Sequence, residues 1–124
     1  MLTIRPQQSD ALHQDLRRRF VERMVGHVRE YFPQQFGKLG EPAVREWIED
    51  GIGRAGGYGI VAERDVCKFI DIMIVFGREF DTDPACPWAK PILTAQPTDP
   101  TSRMEVLFET ARQKAMARNQ VWNG

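Results

Sequence analysis

The stretch Ala62-Glu63-Arg64-Asp65-Val66-Cys67-Lys68-Phe69-Ile70-Asp71-Ile72-Met73-Ile74-Val75-Phe76 decides the fold. Its last five residues are the longest purely apolar run in the chain. Taken alone, that β-branched run reads as a buried strand or a buried helix, because periodicity does not separate the two over so short a length. The residues upstream favour the helix. Val66, Phe69, Ile70, Met73, Ile74 and Phe76 keep a spacing of three to four residues from 66 onward, so one helix is expected over about 62–76. Lys68, Asp71 and Arg78 fall on one narrow stripe. The expected element is therefore the buried centre of the molecule with a thin wet edge.

The flanking segments have the same period. From 6 to 32, Leu12, Leu16, Phe20, Met24 and Val28 recur every four residues, with Val21 and Val25 beside them. Pro6 suits a first helical position, where a missing N–H costs nothing. Pro33 should end this helix by disfavouring the α conformation at Phe32. Residues 34–40 read as a short connector with room for one helical turn. Pro42 opens a second helix whose apolar face is Val44, Trp47, Ile48, Ile52 and Ala55, and the cluster Gly56-Gly57-Tyr58-Gly59 stops it. Residues 77–87 form a loop, 87–94 a short helix with Trp88, Ile92 and Leu93, and 96–101 another loop. Asp99 then caps a last helix with Pro100 at its first position. Met104, Leu107, Phe108, Ala111 and Ala115 are its stripe. Residues 119–124 read as a frayed tail. The expected fold is an all-α, single-domain bundle over 1–124, with four main helices and one or two short ones.

The 124 residues are enough for one domain that buries roughly two-thirds of its unfolded surface without staples. Lys plus Arg and Asp plus Glu both number 17, so the formal charge is zero. That balance argues against a dedicated nucleic-acid binder. The zero is uneven along the chain. Residues 34–83 hold ten acids against six bases, whereas 1–33 and 84–124 each carry two excess bases. Either the outer helices complement the middle, or an acidic patch docks a basic partner. No apolar stretch of signal-peptide length follows the N-terminus, and no run is long enough to span a bilayer, so a cytoplasmic protein is expected. Cys67 and Cys86 make no disulfide framework and no metal-ligand spacing.

Few motifs suggest chemistry. Gly51, Gly53 and Gly56 match G-x-G-x-x-G, with Asp71 twenty residues after the first. A dinucleotide site needs a buried strand before those glycines and a helix after them. Here a charged helical segment precedes and a helix stop follows, so close helix packing or early fraying is expected instead. His13 and His27 lie roughly 21 Å apart along one helix and cannot share a metal. They read as partly exposed polar residues, with no evident Cys, Ser or carboxylate partner. Asp81-Thr82-Asp83 lacks the glycine and glutamate of a calcium loop. Asp83 before Pro84 reads as a turn residue whose side chain bonds nearby backbone. Arg17-Arg18-Arg19 spreads round its helix and reads as a solvated face, with Asp15 and Glu22 as neighbours. No catalytic residue, cofactor site or metal site is expected, and the protein is read as a non-enzyme. Residues 80–88, rich in aromatics and prolines between acids, are the least ordinary segment. Tyr58, Phe80, Asp81, Asp83, Trp88 and the tail residue Trp122 are the expected partner-binding residues.

Several stretches together resemble a known family. They are Leu2-Thr3-Ile4-Arg5-Pro6-Gln7, His27-Val28-Arg29-Glu30-Tyr31-Phe32-Pro33, Gly51-Ile52, Tyr58-Gly59-Ile60, Glu63-Arg64-Asp65-Val66, and Phe76-Gly77-Arg78-Glu79-Phe80-Asp81 running into Pro87-Trp88-Ala89. They resemble small bacterial proteins encoded beside type VI secretion spike (VgrG, PAAR/Rhs) and effector-adaptor genes. The resemblance covers about residues 2–93, and the last helix and tail match loosely. It implies an accessory or co-chaperone role in loading an effector onto the spike, with an effector, adaptor or spike component as partner. No active-site residue is carried over. An immunity protein for a neighbouring toxin is the alternative. Neither nucleic acid nor a membrane is an expected partner, and the oligomeric state stays open.

Overall fold

The computed structural model describes residues 6–96 and 98–118, with side chains described from residue 12. Six helices follow one another: α1 (Pro6–Tyr31), α2 (Pro33–Leu39), α3 (Glu41–Gly57), α4 (Glu63–Phe76), α5 (Ala89–Leu93) and α6 (Pro100–Ala117). Among the described residues there is no strand, so the run 72–76 is helix. Four long helices and two short ones make an all-α bundle.

The punctuation residues act as their chemistry requires. Pro33 ends α1 and, being at a first-turn position, starts α2. The 34–40 connector is thus a seven-residue helix rather than a single turn. Phe32, at the corner, is fully buried and closes the end of α1, its N–H donating to the Val28 carbonyl at 2.8 Å. α3 ends in a Schellman motif. Gly59 has φ +79°, its N–H donates to Gly56 and the Ile60 N–H donates to Ala55, satisfying two carbonyls that the helix end would leave orphaned. The last short helix starts at Ala89, two residues later than its sequence pattern suggests.

α4 is the centre of the bundle. It packs on α3 along one flank and on α6 along another, and touches α1 along a third. Phe69, Ile70, Ile72 and Met73 have no exposed surface. Met104, Leu107, Ala111 and Ala115 of α6 meet it at helical spacing, and so do Val44, Ile48 and Ala55 of α3. The thin wet edge is not there. Asp71 is 3% exposed, Lys68 is half-buried with its ammonium over the Phe108 ring at 5.7 Å, and Arg78 lies beyond the helix end. Tertiary contacts cover the stripe that polarity alone assigns to water.

The first helix departs from its stripe at one end. Phe20, Val21, Met24, Val25 and Val28 are buried, but Leu12 and Leu16 are 58% and 51% exposed. α1 runs parallel to α4 with Arg23 paired to Glu63, the first residue of α4. The two turns of α1 before Arg23 share a cavity with the first turn of α4, Glu63 and Val66.

The uneven charge is answered by pairing. Arg17, Arg23 and Arg29 of α1 pair with Glu49, Glu63 and Glu41, so α1 covers part of the acidic middle. Glu22 pairs with Arg45 of α3 rather than with its own helix, whereas Asp15 holds both Arg18 and Arg19.

Candidate functional site

Three polar side chains converge between α1 and α4. Cys67 and Asp71 are four residues apart on α4, hence on one face. His27 of α1 faces them, with its Nε2 2.8 Å from Asp71 Oδ1 and 3.9 Å from Cys67 Sγ. The ring is held by Tyr31, with centroids 4.9 Å apart, and by the edge of Phe32. Sequence spacing hides this cluster, since its members are 40 and 44 residues from His27. The expectation that His27 has no Cys or carboxylate partner is corrected, as is the expectation that Cys67 joins no set of metal-ligand type.

Electrostatics explain how the cluster is tolerated. Burial pushes the Asp71 carboxyl up, and the imidazole beside it pulls it back. The hydrogen bond to Asp71, aided by Cys67, pushes His27 up to about 10. The cluster does not have the layout of a nucleophilic relay. A Cys-His-Asp relay uses one ring nitrogen for the nucleophile and the other for the carboxylate. Here both partners meet the same Nε2. The donor set of one imidazole, one thiol and one carboxylate is instead one that can hold a metal.

The second feature is a cavity of about 750 Å³ at the overhanging end of α1. Leu16 and Phe20 of α1 form one wall, Ile52 of α3 another, and Val61 and Val66 close the third, with the polar side chains of His13, Gln14, Arg17 and Glu63 also lining it. Val61 is 79% exposed, so with Leu12 and Leu16 it leaves an apolar strip open to water. No known family model, curated protein or solved structure matches this chain.

The structure distributes the sequence-selected residues unevenly. Phe80 is fully buried against Phe69, at 5.0 Å between centroids, and offers no partner surface. Asp81 is also buried. Its carboxylate accepts from Arg54 at 3.0 Å and from the Tyr58 hydroxyl at 2.8 Å, and Lys90 donates to that same hydroxyl at 2.8 Å. Arg54 forks further to Asp50 and Glu79, and Arg78 joins at Asp50. This network ties the 77–88 loop to the end of α3. Asp83 behaves as a turn residue, its carboxylate accepting from the Ala85 N–H at 2.9 Å. Trp88 is half-buried, edge-on to Phe76 at 5.2 Å. Trp122 lies outside the described residues. Cys67 and Cys86 are both free. Gly51 is a close-packing position rather than part of a phosphate loop, and Gly53 is open. No helix is long and apolar enough to cross a membrane among the described residues.

Proposed function

We propose that this chain is a non-enzymatic interaction protein of type VI secretion, acting in the bacterial cytoplasm as an accessory or co-chaperone in effector loading. The observation that carries the reading is the apolar cavity with its exposed strip, Leu12, Leu16 and Val61. Its occupant is an amphipathic helix of the effector or its adaptor. The reason is shape. The space lies between α1, Ile52 of α3 and the first turn of α4. A helix that lays leucine-sized side chains along Leu16 and Phe20 covers the exposed apolar strip, the helix-in-groove mode of recognition. The sequence resemblance supplies the biological setting.

Leu16→Asp and Val61→Asp test it. Both side chains are solvent-exposed, so the variants should fold with stability within about 0.5 kcal/mol of the parent. Each should abolish co-purification with the effector or adaptor encoded beside its gene, and abolish effector delivery in the producing strain. Unchanged capture and delivery in both variants would refute the groove. A deletion strain that delivers normally but is killed by its own or a sister cell's toxin would replace this reading with the immunity protein.

A further inference from the structure

We propose that His27, Cys67 and Asp71 form a mononuclear binding site for a zinc-type divalent cation, independent of the groove and of any partner. The ligand atoms of the three side chains all lie within 4.8 Å of one another. A tetrahedral zinc ion sits about 2.0–2.3 Å from nitrogen, sulfur and oxygen ligands, which places those ligands roughly 3.3–3.8 Å apart. Nε2 to Oδ1 is 2.8 Å and Nε2 to Sγ is 3.9 Å, and all three atoms lie within 4.8 Å of one another, so side-chain adjustments of about an ångström bring the set to that spacing. Two ligands at i and i+4 on α4 and a third from α1 form a tripod on rigid elements, not a cluster on mobile loops.

The chemistry of the donors selects the ion. Thiolate and imidazole favour zinc-class ions, whereas calcium and magnesium take oxygen. Charge also balances in the bound form, where neutral imidazole, thiolate and carboxylate cancel a dication. His27 and Cys67 are only half-buried, which leaves a path for the ion and a fourth position for water. The bound ion would also staple α1 to α4, whose contact is otherwise short.

The reduced, chelator-stripped full chain is titrated with Zn²⁺ and, separately, with Co²⁺. The expected result is one ion per chain, a raised unfolding temperature, and a cobalt spectrum with thiolate-to-metal charge transfer and tetrahedral bands. Cys67→Ser, nearly isosteric, should remove the charge-transfer band and weaken binding by about tenfold or more. His27→Gln should weaken it similarly, while His13→Gln on the exposed end of α1 should change nothing. If a variant fails to fold, the parent's binding stoichiometry and cobalt spectrum still decide the matter. No one-to-one binding, an octahedral all-oxygen cobalt spectrum, or binding that survives Cys67→Ser unchanged would each overturn the site.

Discussion

Replacing Gly51 with alanine tests how closely α3 and α4 are packed. Gly51 is buried in the middle of α3 against α4. A Cβ there would stand 2.8 Å from Ile70 Cγ1 and 2.8 Å from Met73 Sδ, well inside the roughly 3.5–4.0 Å of ordinary carbon contact. Neither neighbour has exposed surface into which to retreat. Ile70 is β-branched and stiff at its first torsion, whereas Met73 is pliant. Overpacking of this kind costs about 1–3 kcal/mol. Alanine in a helix interior returns about 1 kcal/mol through propensity. The net expectation for Gly51→Ala is a loss of about 0–2 kcal/mol. Gly53, two residues on, is exposed and has nothing within 4 Å of its would-be Cβ. Gly53→Ala should thus keep the whole propensity gain of about 1 kcal/mol. The two variants should differ by about 1–3 kcal/mol, a gap of several degrees in unfolding temperature for a domain this size. Urea and thermal unfolding followed by circular dichroism measure that gap directly. If Gly51→Ala stabilises as much as Gly53→Ala, α3 and α4 are not in close contact at Gly51.

Three further outcomes can be checked by the same unfolding assays. Asp81→Ala removes the acceptor shared by Arg54 and Tyr58 and should cost about 1–3 kcal/mol, since Arg54 keeps Asp50 but the phenol loses its buried partner. A loss below a few tenths would show that the loop is not tied to α3 through this carboxylate. With a chelator present, the His27 contribution is whole below its ordinary pKa of 6.5 and fades as pH rises towards its folded value of about 10, because the folded state holds the proton more tightly. Stability should fall across that window, Asp71 and Cys67 being the groups that face the ring, and His27→Gln should flatten the slope; a slope unaltered in the variant would assign it elsewhere. Asp99→Ala removes the side-chain acceptor of the Ser102 N–H at the start of α6 and should cost about 1 kcal/mol, whereas Asp99→Asn, which still caps, should cost much less.

The positions of the helices were legible because their causes are local. A four-residue apolar recurrence, a proline at the first turn and a glycine at the stop act within a few residues of themselves. The stripe Met104, Leu107, Ala111, Ala115 and the cap at Asp99 are therefore where the pattern puts them. The pattern also names the face of α4 that must be dry. It does not name what lies opposite. Asp71 is buried because α1 lies parallel to α4 with His27 one turn above the Arg23–Glu63 pair. That axial register is set by interlocking side chains from separate helices, which no period within one helix encodes. Leu12 and Leu16 belong to the stripe as fully as Met24 does, but the tertiary packing leaves them 58% and 51% exposed. Local periodicity thus settles that this chain is a bundle of amphipathic helices. The packing of α1 against its neighbours, a choice among distant residues, settles that an imidazole meets a thiol and a carboxylate and that an apolar face is left open to water.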